Sequence, residues 1–225
     1  MRTLNFNCAL ITGGSGGIGR AMAEYLISQN KKVIIAGRTK STLQSTAREI
    51  GAAAYYVLDT GRPDAIPGLI VQTTEVHPDL DCLIDNAGVQ RPLQVLEMKA
   101  GAVSGEGGSG DRWERMGAVV MNVSSVPGYI PISVIKPGVQ RDKSVAVVEI
   151  APPMVATNLH RERTDPDDKK KEKNPNALSV DEFMESVIRE SKEGKDVIGA
   201  GMSEKVVERW YNEFGGDYEK AVGTK

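Results

Sequence analysis

The chain has 225 residues, enough for one domain over 1–225, and its 40% hydrophobic and 26% charged residues are ordinary for a globular protein. A formal net charge of −2 gives no bulk electrostatic case for nucleic acid or a membrane surface as partner. No apolar stretch approaches the ~20 residues that span a bilayer, and no basic region with a long apolar core opens the chain, so the expectation is a cytoplasmic protein.

Residues 8–12 read as a short buried strand. Over 17–30, Ile18, Ala21, Met22, Tyr25 and Leu26 recur at helical spacing. A second strand runs over 32–36, and a polar, helix-permissive stretch follows to Ile50. Further strands are expected at 53–58, ending at Asp59, and at 81–84, 118–123 and 144–150. This alternation predicts βαβ units: a three-layer, doubly wound, Rossmann-like α/β fold whose strand C-termini line one edge, where ligands bind. Two stretches break the rhythm. Residues 99–112 are rich in Gly and Ser, which opposes a helix. Residues 136–143 are too few for a crossover helix, which takes about a dozen. One face of the sheet is therefore expected to be depleted of helices. The charged run His160 to Lys173 reads as a solvated loop. Ser179-Val180-Asp181-Glu182 is the signature of an N-cap box, opening a helix to about Lys192 with Gly194 as its stop. A last helix is expected over about Ser203 to Phe214. Cys8 and Cys82 lie in apolar, strand-like runs and read as buried packing residues rather than a disulfide or metal pair, so no metal site is expected.

Between the first strand and first helix stands Thr12-Gly13-Gly14-Ser15-Gly16-Gly17-Ile18-Gly19. One glycine permits a tight turn, another lets backbone approach a pyrophosphate, and a third lets the helix pack on the strand. The helix N-terminus then offers free N–H groups and a positive dipole end to phosphates. Gly-rich loops also serve as plain turns, but a strand before and a helix after favour nucleotide binding.

The end of the second strand selects the nucleotide. A carboxylate that would hold the ribose 2′-hydroxyl is expected about 20 residues on. The sequence instead reads Ala36-Gly37-Arg38-Thr39-Lys40. The missing carboxylate removes repulsion of a 2′-phosphate, and Arg38 offers a planar, permanently charged fork for it. NADP is thereby favoured over NAD. The alternative is a surface arginine with no ligand.

Further motifs follow in order: Leu58-Asp59, Asn86-Ala87-Gly88, Asn122-Val123-Ser124-Ser125, and Ile150-Ala151-Pro152-Pro153-Met154-Val155-Ala156-Thr157. With Thr12-Gly13-x-x-x-Gly17-Ile18-Gly19 they make the chain resemble the short-chain dehydrogenases/reductases. The resemblance implies that Asp59 contacts the adenine ring. It implies that Asn86 lines the cofactor cleft, with Ala87 and Gly88 in the same motif. Val155 and Thr157 would contact the nicotinamide amide, and Ser125 would be the catalytic serine on the substrate carbonyl. The loop and helix of 158–193 would flank the substrate. Each has a plainer alternative: Asp59 as a turn cap, Asn86-Ala87-Gly88 as a turn, Ser124 and Ser125 as strand-end polar residues.

The family's chemistry uses a Tyr with a Lys four residues later on one helix, where the ammonium lowers the phenol pKa for proton transfer. About a dozen residues after Ser125 stand Gly138 and Val139 instead. Tyr129 is followed by Ile130-Pro131, and Ser133 occupies the place of the Lys. The expectation is therefore an internally shortened NADP(H)-dependent oxidoreductase acting on a small carbonyl or alcohol, with impaired catalysis. The alternative is a non-catalytic NADP(H)-binding sensor or assembly subunit. A homo-oligomer stays open, although the helices by which the family commonly dimerises are missing.

Overall fold

The computed structural model describes residues 4–88, 119–123, 146–159, 165, 167 and 170–222. Seven parallel strands form one sheet in the order β3-β2-β1-β4-β5-β6-β7. They are β1 (Cys8–Thr12), β2 (Lys32–Gly37), β3 (Ala54–Val57), β4 (Leu80–Asp85), β5 (Val119–Val123), β6 (Ala146–Ala151) and β7 (Val197–Gly199). β1 is buried at every position because it has a strand on each side and helices on both faces. An uninterrupted apolar run is what such a strand needs. Its neighbours are β2 on one side and β4 on the other, so the winding direction reverses between β1 and β4. A doubly wound sheet opens its ligand crevice at that reversal, beyond the strand C-termini.

Strand alternation sorts the core onto two faces. Ala9, Ile11, Val33, Ile35, Cys82, Ile84, Met121, Val148 and Ile150 face one way. Against them pack α1 (Gly17–Ser28), α2 (Lys40–Ile50) and α4 (Val180–Glu193), through residues such as Met22, Leu26, Leu43, Phe183 and Val187. On the other face Cys8, Leu10, Ile34, Ala36 and Leu80 meet Leu69 of α3 (Ile66–Val76). At the far edge Ala151 and Val197 meet Val207 and Trp210 of α5 (Met202–Val222). Among the described residues no further helix lies on that second face. Both breaks in the rhythm, 99–112 and 136–143, lie outside the described residues.

Cys8 and Cys82 point to opposite faces and are fully buried, as expected of packing residues. Burial, with Asp79 nearby, pushes the Cys8 thiol up to about 11, and burial raises Cys82 as well. A bulge in the β1–β4 register leaves Asp81 opposite the start of β1. Its carboxylate accepts the N–H groups of Asn7 and Cys8 at 2.9 Å.

Two elements escape the sequence reading. α3 carries Pro67, Gly68 and a run of β-branched residues, all poor in helix propensity. Proline is at home in its first turn, and burial of Leu69 and Thr73 outweighs propensity. The Thr73 and Thr74 hydroxyls bond back to the carbonyls of Leu69 and Ile70 at 2.8 Å, so neither competes for the ladder from outside. β7 is only three residues long, too short for any alternation to register. α4 behaves as its signature demands. Ser179 Oγ accepts from the Glu182 N–H, and Glu182 accepts from the Ser179 N–H at 2.7 Å. Gly194, left-handed at φ +78°, closes the helix.

Candidate functional site

The Gly-rich turn leaves β1 at the winding reversal. Gly13 is left-handed at φ +67° and Gly17 at φ +53°, conformations that cost side-chain-bearing residues energy. Gly16, extended, is the N-cap of α1 and supplies no side-chain bond, and no acidic residue stands in the first turn. The first N–H groups of α1 are thus left without a side-chain cap, at the positive end of the helix dipole. A Cβ on Gly16 would meet nothing within 4 Å, so that side of the turn is open space.

The other glycines are required by packing. A Cβ on Gly19 would stand 2.5 Å from both Asn86 Nδ2 and the Gly13 carbonyl oxygen. A Cβ on Gly14 would stand 2.7 Å from Ile35 Cγ2. The Gly14 N–H donates to the Ala36 carbonyl at 3.3 Å, which fastens the turn to the end of β2. Sequence reasoning gave Gly14 no individual role. Its only signal was one more glycine than the turn itself requires.

Beside the turn, Ser15 Oγ lies 3.7 Å from where a Gly37 Cβ would be, and Thr46 Oγ1 donates to the Ser15 carbonyl at 3.4 Å. Ile18 packs half-buried on the α1 side of the core. Arg38 follows β2 and is exposed, with no ion pair among the described residues. Thr39, the N-cap of α2, gives no side-chain bond, and the first turn of α2 has no acid. Two helix N-termini without acidic neighbours thus lie at this edge, and Arg38 follows the end of β2 to which the turn is fastened. Asp59 lies further out, beyond β3. Its carboxylate accepts the Gly61 N–H at 3.0 Å, the local turn cap of its plainer reading.

The end of β4 is bolted to the turn. Thr12 Oγ1 lies 2.9 Å from Asp85 Oδ1 and accepts the N–H groups of Asn86 and Ala87 at 2.9 Å. Asn86 Nδ2 donates to the Thr12 carbonyl at 3.0 Å. Gly88 continues past Asn86 and Ala87, exposed.

The exit of β6 closes the third side. Val155 is 4% exposed and pairs in a parallel bridge with Leu178. Thr157 Cγ2 stands 3.3 Å from the Cβ position of Gly17, and its Oγ1 accepts the Leu159 N–H at 3.3 Å. The structure thus brings Thr12 to Gly19, Asn86 to Gly88, and Val155 to Thr157 to one edge, with Arg38 following the adjacent end of β2. Ser125 lies outside the described residues. β5 ends two residues before it, and Asn122 is in register with Asp85. Tyr129, Ser133, Gly138 and Val139 are likewise outside. No trio of His, Cys, Asp or Glu among the described residues is placed to hold a metal, and no described helix is long and apolar enough to cross a membrane.

A sequence model of the short chain dehydrogenases matches residues 7–105. The chain is 26% identical, over 223 residues, to the uncharacterized oxidoreductase DltE of Bacillus subtilis, covering 85% of this chain and 87% of that protein. It is 35% identical over 103 residues to the bovine dehydrogenase/reductase SDR family member 11, covering 43% of this chain and 39% of the bovine one. Among solved structures, a short-chain dehydrogenase from Sphingobium yanoikuyae in complex with NADPH superposes with a TM-score of 0.66 at 19% identity, covering 86% of this chain and 87% of that one. At that identity the likeness concerns the fold.

Proposed function

We propose that the chain, similar to the short-chain dehydrogenases/reductases, binds NADP(H) as an oxidoreductase of a small carbonyl or alcohol substrate, with impaired catalysis of its own. One observation carries the nucleotide half of this reading. The α1 N-terminus, without a side-chain cap, opens from a glycine turn so tightly packed at Gly19 that no Cβ fits. The uncapped N–H groups at the positive end of α1, beside open space at Gly16, are what a pyrophosphate requires, while the close fit at Gly19 seats the helix on Asn86 and the turn.

In this reading the turn residues Thr12, Gly13, Ser15, Gly17, Ile18 and Gly19 hold the pyrophosphate. Arg38 pairs with the 2′-phosphate, bidentate and permanently charged. Asp59 borders the adenine, Asn86, Ala87 and Gly88 line the cleft, and Val155 and Thr157 meet the nicotinamide amide. The NADPH in the Sphingobium relative supports the choice of nucleotide. A bound nicotinamide supplies or takes up a hydride, and the chain's part is to place it against the substrate. Ser125 donates to the substrate carbonyl. The segment 158–193 flanks the substrate within a single domain.

The impairment is read from the proton path. None of the six tyrosines has a lysine four residues on. Loss of a general acid costs roughly 10²–10⁴-fold in rate. That deficit favours a second reading, in which the chain binds NADP(H) without turnover as a sensor or assembly subunit. Internal shortening is supported by the alignment with DltE. Its 223 positions draw on only 85% of a 225-residue chain, so it carries gaps on this side.

A paired measurement tests both readings. NADPH binding is titrated by fluorescence, and its oxidation is then followed with a panel of aldehydes and ketones. Turnover that disappears in Ser125→Ala supports the enzyme. Binding without turnover supports the second reading, and absence of binding defeats both.

A further inference from the structure

We infer that Asp85 is a positioning residue of the nucleotide cleft, acting through the hydroxyl of Thr12. Its consequence for affinity rests on the nucleotide-binding reading above. The hydrogen-bond arrangement stands without it.

Four groups surround Thr12 Oγ1. The N–H groups of Asn86 and Ala87 lie at 2.9 Å, Asp85 Oδ1 at 2.9 Å, and the Ile84 carbonyl oxygen at 3.4 Å. A hydroxyl has one proton and two lone pairs. The two backbone donors claim both lone pairs, so the proton must go to one of the two acceptors. Asp85 is nearer and is a carboxylate, which makes the stronger bond. The Ile84 oxygen is at the outer limit of hydrogen-bond distance. Asp85 therefore fixes the hydroxyl rotor, and the fixed rotor presents both lone pairs to Asn86 and Ala87.

That small choice reaches the cleft through contacts already described. Asn86 is tied a second time by its own Nδ2 to the Thr12 carbonyl. The same Nδ2 is the atom against which Gly19 and Gly13 pack. The Asp85 proton contact thus sets the seat of two turn glycines on Asn86. Asp85 itself is exposed at the C-terminal end of β4, so replacing it removes the acceptor without opening a cavity.

The test compares Asp85→Ala, which removes the acceptor, with Asp85→Asn, which keeps an acceptor oxygen without charge. Amide hydrogen exchange of the nucleotide-free protein is the first readout. Asn86 and Ala87 should exchange about tenfold faster in Asp85→Ala, the equivalent of one lost hydrogen bond. They should stay near wild type in Asp85→Asn, with the β1 amides unchanged in both. The second readout is NADPH affinity: about tenfold weaker for Asp85→Ala, within about threefold for Asp85→Asn. Thr12→Val, which removes the hydroxyl that accepts from both Asn86 and Ala87, should be at least as impaired as Asp85→Ala, and the double variant should be no worse than Thr12→Val alone. Unchanged exchange in Asp85→Ala overturns the inference, as does Asp85→Asn behaving like Asp85→Ala. Faster exchange with undiminished affinity overturns the positioning role. If the wild-type chain fails to bind NADPH, the functional reading falls, while the exchange comparison still decides the hydrogen-bond assignment.

Discussion

Replacing Gly19 by alanine adds one methyl group inside α1, where glycine-to-alanine exchange is ordinarily helpful. At an unencumbered helix position it would return about 1 kcal/mol. Here the added Cβ would stand 2.5 Å from Asn86 Nδ2 and 2.5 Å from the Gly13 carbonyl oxygen. The latter is backbone held in a left-handed turn and cannot simply rotate away. Overpacking of this kind costs about 1–3 kcal/mol, and displacing Asn86 from Thr12 forfeits about 1 kcal/mol more. With the helix gain subtracted, the net loss is about 2 kcal/mol, a fall in Tm of about 4–8 °C for a chain of this size. The assay is thermal unfolding alongside NADPH titration, with Gly16→Ala as control. Gly16 is extended and faces open space. Its alanine variant should lose no more than about 1 kcal/mol, the difference between glycine and alanine as N-caps. A Gly19→Ala protein as stable as wild type, with equal affinity, would refute the packing argument outright.

Arg38→Asp should reverse nucleotide preference from NADPH to NADH, because a carboxylate repels a 2′-phosphate and accepts from a 2′-hydroxyl; an unchanged ratio of the two dissociation constants would sink the assignment. His77 is buried against Tyr56, its Nε2 3.1 Å from the phenol oxygen, and burial, reinforced by Lys32 and opposed by Asp79, holds its pKa below the ordinary imidazole value. The unfolded chain then binds the proton more readily, so the stability from neutral His77 is full above pH ~6.5 and is lost as pH falls through that value toward the lower folded one. Urea midpoints at pH 8 and pH 5 should differ less in His77→Gln than in wild type, and an equal difference would remove His77 from the account. Ser179→Ala breaks the capping box of α4 and should cost about 1 kcal/mol; a midpoint in denaturant indistinguishable from wild type would contradict the cap.

Much of the fold was legible because its elements carry their own local reasons. The buried run Cys8-Ala9-Leu10-Ile11, the helical spacing from Ile18 to Leu26 and the Ser179–Glu182 box each state their structure within a few residues. The glycine turn and the absence of a carboxylate at Arg38 are equally local. α3 was not legible, because Pro67 and its β-branched run argue against a helix, and only the core around Leu69 overrules them. β7 was not legible because three residues carry no periodicity, and pairing with β6 makes them a strand.

For the candidate site, sequence order determined which motifs were present but not what each residue touches. Asp59 stands in a motif that implies an adenine contact, and the structure adds that its carboxylate accepts the N–H of Gly61. Asp85 carried no signal at all, since its meaning lies in Thr12, which is 73 residues away. Gly14 and Gly19 are read as glycines by sequence, while the reason no other residue fits is supplied by Ile35 of β2 and by Asn86 just beyond β4. The missing Tyr-x-x-x-Lys spacing is the opposite case, a property read from the chain alone. Local chemistry is written in neighbouring residues. Close approach, register and the sharing of a single proton exist only once the strands lie side by side.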